Sequence, residues 1–176
     1  SARLAAQDLA DVPVQIVDVQ CAAASHKLVV EAAGHALQQG ATLEQATAAA
    51  MQVVAQHRTL FTVDSLEYLH KGGRIGGASA LVGSLLQFKP LLHFVDGQIT
   101  ALERVRKTSR SLSRIAELML AEFGPDEPLR SVIMQAECLE NAQRMSQILG
   151  SQVNVVHEEI VYLTPVIGAH VGNGTL

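Results

Sequence analysis

Residues 64–75 constrain this chain more tightly than any other stretch: Asp64-Ser65-Leu66-Glu67-Tyr68-Leu69-His70-Lys71-Gly72-Gly73-Arg74-Ile75. Within twelve positions the backbone must leave a short strand, make a helical turn, break at two consecutive glycines and deliver an arginine. Gly72 and Gly73 allow a tight turn and are expected to leave amides uncovered. The apolar run over residues 75–86 reads as a helix, which would put Arg74 at its N-terminus. Uncovered amides, the positive end of a helix dipole and a guanidinium all favour an anion such as a carboxylate or phosphate. The plainer alternative is an arginine in a weak surface ion pair.

A second glycine-rich segment covers residues 168–174 and carries His170. Most lone loop histidines are structural or solvated, and that reading stays open here. The flanking glycines let backbone approach a ligand closely, and an imidazole can donate to an anionic oxygen. Gly172-Asn173-Gly174 has the composition of a backbone nest for an anion. It lacks the Gly-Lys-Ser/Thr of a phosphate-binding loop, so no nucleotide site is read. The other histidines show no His-x-x-x-His pairing, and metal ligation is not expected. No serine stands in a Gly-x-Ser-x-Gly elbow, and no carboxylate pair is set up for acid–base work. The chain carries an anion-binding constellation without visible catalytic machinery.

The supporting fold reads as α/β. Helices are expected over residues 3–9, 28–39, 42–57, 75–86, 108–123 and 139–149. Strands are expected over 14–18, 59–63, 90–95, 98–105, 129–136 and 153–156. Thr42 and Gln45 form a Thr-x-x-Gln capping box. Asp96-Gly97 marks a two-residue hairpin, and Thr108 or Ser109 is expected to cap the next helix. The division into domains is placed at Val63, giving domains 1–63 and 64–176. With 48% hydrophobic residues the core supply is ample, and with 3% aromatics that core must be mostly aliphatic. A net charge of −4 and so few aromatics argue against nucleic-acid binding. Cys21 and Cys138 are too few for a disulfide framework, and two free thiols fit a cytoplasmic location. No run of about 18 apolar residues is present, so no stable membrane insertion is expected.

Together, residues 64–75, 84–92 and 165–175 resemble the DegV family of bacterial fatty-acid-binding proteins. The family's Lys-Gly-Gly-Arg-Ile motif is matched at residues 71–75. Its His-Val-Gly-Pro-Gly-Thr segment is matched at 170–175, with Asn173 in place of the proline. The resemblance implies a two-domain α/β fold that buries one long-chain fatty acid, with Arg74 and His170 near its carboxylate and Gly72, Gly73 and Gly172 shaping the site. It further implies no cofactor and no catalysis by this chain. A separate fatty acid kinase subunit would phosphorylate the presented carboxylate, docking on Arg104, Arg106 and Lys107. The chain is similar to a fragment lacking the upstream half of the first domain and the final strand. Its exposed strand edges then point to a homodimer. Where members often have Ser-Met-Gly-x-Gly, this sequence has Ala23-Ala24-Ser25-His26-Lys27, which points to an altered lipid preference. Residues 75–92 are expected to line an apolar pocket, although tight helix packing explains their small side chains equally well. Beside the carrier stand two other readings: an enzyme acting on a small anionic metabolite through the same site, and a non-catalytic interaction module.

Overall fold

The computed structural model describes residues 2–9, 11–81 and 88–176. These divide into two compact units, with the break between Arg58 and Thr59.

The first unit contains α1 (Ala2–Gln7), α2 (Ala24–Gln38) and α3 (Leu43–Gln56). Gly40, in the left-handed region at φ 83°, turns the chain out of α2. Thr42 then starts α3 with the expected reciprocal cap. Its hydroxyl accepts from the Gln45 amide at 3.3 Å, and the Gln45 side chain accepts from the Thr42 amide at 2.8 Å. Val29 and Ala50 pack with Val19, flanked by Val17, Cys21, Ala33, Val53 and Val54. The strand expected over 14–18 does not form. No strand among the described residues pairs with it, and Val14 and Ile16 are left exposed.

The second unit holds both sheets. β1 (Leu60–Thr62), β2 (Lys89–Val95) and β3 (Gln98–Val105) form an antiparallel sheet in that order. Because β1 hydrogen-bonds to β2, with Thr62 opposite Leu91, it belongs to the second unit. The domain break therefore falls ahead of β1, upstream of the Val63 boundary. Asp96 and Gly97, at φ 49° and 76°, make the two-residue turn between β2 and β3. Both signs match the twist of the flanking strands.

The other sheet is parallel. β4 (Leu129–Gln135) and β5 (Val155–Tyr162) are joined through α6 (Leu139–Gly150). β5 runs well past the strand expected over 153–156. α5 (Thr108–Phe123) starts after Lys107, and neither Thr108 nor Ser109 caps it. Leu91, Val105, Leu112, Ile115, Ile133, Met145 and Leu149 form one core. Val63, Leu66, Leu69, Ala78, Leu81, Leu92, Ile99 and Val171 form another. Leu91 and Leu92 thus send adjacent side chains to opposite faces of β2, as a strand's period of two requires.

The two remaining helices are short: α4 (Glu67–Lys71) and α7 (Pro165–Val171). The run after Ile75 is a 3-10 helix over Gly76–Leu81, not an α-helix. Gly76 there has φ 48°, and a Cβ on it would lie 2.4 Å from the Ile99 carbonyl oxygen. Gly77 packs against Thr100, and Ala78 and Leu81 are buried. Close packing on β3 accounts for these small residues. Residues 82–87, which complete the expected 75–86 helix and much of the 84–92 motif, lie outside the described residues.

Beyond α7, the Thr62 amide donates to the Leu176 carbonyl at 2.7 Å and the Leu176 amide returns the bond at 3.0 Å. The Gly174 amide donates to Ala136 at 2.7 Å, and the Ala136 amide donates to Thr175 at 3.0 Å. Residues 174–176 therefore run between β1 and the end of β4 and join the two sheets.

Candidate functional site

Residues 64–74 fold as one capped turn of helix. The Ser65 hydroxyl accepts from the Glu67 amide at 3.1 Å and opens α4. Leu66 and Leu69 anchor its buried face. At the other end, the Arg74 amide donates to Leu69 at 2.9 Å and the Gly73 amide to His70 at 3.1 Å. With Gly73 at φ 65°, this is a Schellman ending, which needs a left-handed residue after the last turn.

That ending changes the local electrostatics expected of Arg74. The residue sits just past the C-terminus of α4, where a cation is favoured without any anion present. The Gly72, Gly73 and Arg74 amides all serve the helix end, so they are not uncovered. The Gly172 and Gly174 amides are also used, donating to Gly168 and Ala136. The nest expected over 172–174 is largely spent on backbone. An anion here would be held by side chains.

The two glycine-rich segments, far apart in sequence, pack against each other through their glycines. A Cβ on Gly72 would lie 2.4 Å from His170 Nδ1. One on Gly172 would lie 2.4 Å from the Tyr68 ring, and one on Gly174 would lie 2.2 Å from the Asp64 carboxylate. Each missing side chain is replaced by a group from the partner segment. His170 and Arg74 meet at the same residue, because Arg74 Nη1 donates to the Gly72 carbonyl at 2.9 Å. His170 Nδ1 is buried and has no hydrogen-bond partner.

Around this junction, Lys89 Nζ donates to Asp64 Oδ1 at 2.6 Å. Thr175, itself buried, donates to the Val171 and Gly172 carbonyls at 3.0 and 2.8 Å and fixes the end of α7. The Cys138 thiol donates to the Thr175 carbonyl at 3.2 Å. Burial pushes that thiol up, opposed by a backbone hydrogen bond at Ala136 and reinforced by the Asp64 and Glu137 charges. A thiol so held is a poor nucleophile. Asp64, Tyr68, Lys89 and Thr175 were not singled out from sequence. For Asp64 and Tyr68, the glycines facing them were the available signal. Among the described residues no cluster of His, Cys, Asp and Glu suits a metal ion.

A model of the DegV family, a family described as uncharacterised proteins, matches residues 1–176. The chain belongs to the DegV family. It is 34% identical over 168 residues to a DegV domain-containing protein of Streptomyces coelicolor, covering 95% of this chain and 59% of the relative. It is 37% identical over 125 residues to another from Halalkalibacterium halodurans, covering 71% of this chain and 44% of that one. Among solved structures it is similar to a fatty-acid-binding DegV family protein of Thermus thermophilus, with a TM-score of 0.90 and 31% identity. That match covers 99% of this chain and 62% of the Thermus chain. The chain thus spans less than two thirds of the length of these DegV relatives. No described helix is long and apolar enough to cross a membrane.

The basic segment lies elsewhere in the DegV fold, where β3 runs into α5. Arg104 is exposed near the end of β3, and Arg106 lies over the Phe88 ring at 5.9 Å from its centroid. The Lys107 carbonyl receives the Arg110 and Ser111 amides at the start of α5. Arg110 and Arg114 are held by Glu117 and Glu103. Among the described residues Arg104, Arg106 and Lys107 enter no ion pair.

Proposed function

We propose that this chain binds the carboxylate of a long-chain fatty acid through Arg74 and His170 and presents it to a partner kinase in the bacterial cytoplasm. The kinase would convert the carboxylate to an acyl phosphate. The observation that supports the reading is the meeting of both side chains at Gly72, with the guanidinium bonded to its carbonyl and the imidazole packed on its α-carbon. A DegV relative 31% identical to this chain is described as binding fatty acid. Arg74 carries no carboxylate partner among the described residues, which leaves its charge available to a ligand. The acyl chain would supply most of the affinity, at about 0.8 kcal/mol per buried methylene, while the polar end sets direction. Arg104, Arg106 and Lys107 would form the surface that the kinase approaches, since a basic surface suits an acidic partner.

Palmitate titration into the chain and its variants tests the binding arm. Arg74→Ala should weaken binding, and Arg74→Lys should do so too, because lysine loses the planar two-pronged contact with a carboxylate. Unchanged affinity in both variants would refute the assignment. Lipid extraction from denatured protein followed by mass spectrometry should return a long-chain acid. For the kinase arm, a triple Arg104→Glu, Arg106→Glu, Lys107→Glu variant should keep palmitate but lose phosphorylation by a fatty acid kinase.

A further inference from the structure

We propose that Gly72 holds His170 in its Nε2–H tautomer, making the uncharged ring a hydrogen-bond donor through Nε2. The tautomer follows from packing alone, while its use on a fatty-acid carboxylate rests on the function proposed above.

Gly72 and Gly73 stand side by side, but they are glycine for different reasons. Gly73 has φ 65°, which disfavours other residues. Gly72 has φ −76° and ψ −3°, ordinary right-handed backbone that any residue adopts. What excludes a side chain at Gly72 is its surroundings. A Cβ there would lie 2.4 Å from His170 Nδ1, 3.2 Å from His170 Cε1 and 3.0 Å from the Tyr68 carbonyl oxygen. The ring thus occupies the space that a side chain would take.

The His170 ring is set by its own element. Val171 beside it is buried. The Thr175 hydroxyl bonds the Val171 and Gly172 carbonyls and pins the end of α7. Nδ1 ends up buried with no partner, whereas Nε2 is not among the buried unpartnered atoms.

An uncharged imidazole carries one proton, on Nδ1 or on Nε2. A proton on Nδ1 would be a buried donor without an acceptor, crowded against the Gly72 α-carbon. One Gly72 α-hydrogen lies along the direction a Cβ would take, so it faces Nδ1. A lone pair there accepts that weak C–H contact, whereas an N–H opposes it. The proton therefore belongs on Nε2, the nitrogen that remains open. In this arrangement His170 presents a donor outward without needing a charge, and Gly72 acts as a positioning residue through it.

Long-range nitrogen–proton NMR of the imidazole rings tests this directly, with the His170 signals identified by their loss in His170→Gln. The wild-type ring should show the Nε2–H pattern. Gly72→Ala is permitted by the backbone but displaces the ring. It should give averaged nitrogen shifts from exchanging tautomers, while Gly34→Ala, which meets nothing within 4 Å, should not. An Nδ1–H pattern in the wild type, or an unmoved pattern in Gly72→Ala, would overturn the proposal. The wild-type spectrum decides the tautomer even if Gly72→Ala fails to fold. Palmitate titration of Gly72→Ala separates the two readings. Loss of a hydrogen bond to a charged group predicts about 10- to 100-fold weaker binding. Unchanged palmitate affinity beside a changed ring pattern would remove His170 from the fatty-acid site while leaving the tautomer assignment intact.

Discussion

Replacing Gly172 with alanine should destabilise the second unit measurably. Gly172 closes α7 at φ 78° and ψ 173°. Only glycine visits that region readily, and holding another residue there costs about 1–3 kcal/mol. The new Cβ would also lie 2.4 Å from Tyr68 Cδ2 and 2.6 Å from Cε2. Tyr68 is 48% exposed, so its ring can swing outward, and the collision adds only its lost packing, about 1 kcal/mol. The total is about 2–4 kcal/mol. At about 4 °C per kcal/mol for a unit of this size, the melting temperature should fall by about 8–16 °C. Urea and thermal unfolding followed by circular dichroism would read it. A double variant, Tyr68→Ala with Gly172→Ala, apportions the loss, since it removes the collision and keeps the strained backbone. The double variant should remain well below Tyr68→Ala alone. A loss under about 0.5 kcal/mol in Gly172→Ala, or full additivity relief in the double variant, would refute the assignment to backbone strain.

Three further outcomes are expected. Thr42→Ala removes the hydroxyl of the α3 capping box and should cost about 1 kcal/mol, read as a lower urea midpoint in the first unit; no change would mean that the Gln45 side chain suffices. Leu112 is fully buried between α5 and the sheet, and Leu112→Ala should cost about 2–5 kcal/mol in equilibrium unfolding. Hydrogen bonds from Arg114 hold the Glu103 carboxyl below the usual carboxylate range. Its folded value is depressed, so its contribution is present above the unfolded value of about 4.3 and is lost as pH falls through the folded value. Arg114→Met should flatten the fall in stability below about pH 5, modestly because the pair is part-exposed. Identical pH slopes would exclude the pair as a source of acid sensitivity.

Local rules proved readable wherever one residue pair settles the geometry. Thr42 with Gln45 starts α3 as their spacing requires, and Asp96-Gly97 turns the hairpin. The α/β character followed from such signals. What stayed hidden depended on partners. Residues 14–18 alternate like a strand, but a strand needs a neighbour to hydrogen-bond with. Thr108 and Ser109 are good capping residues, yet Thr108 is already the first residue of α5 and the capping position falls on Lys107. At the candidate site, two glycines before an arginine suggest free amides, and only the helix preceding them shows that those amides are used. Arg74 completes the Schellman ending of α4 and so meets the C-terminal end of that helix, and residues 76–81 wind as a 3-10 helix in which Gly76 clears the Ile99 carbonyl. The packing of Asp64, Tyr68 and His170 onto the opposing glycines is a long-range fit that no local pattern encodes.

The backbone pairing of Thr62 with Leu176 carries a kinetic consequence. The two residues are 114 positions apart (176 − 62). Closing so long a loop is an entropic cost met before any bond rewards it. Pairings of this span are expected after the local hairpin and helices are in place. If residues 174–176 seat last, changes there alter the native state but not the barrier to reaching it. They would then quicken unfolding and leave the refolding rate almost untouched. The lifetime of the folded second unit would then depend on how residues 174–176 are held, while its speed of formation would depend on local elements such as the β2–β3 hairpin and α5.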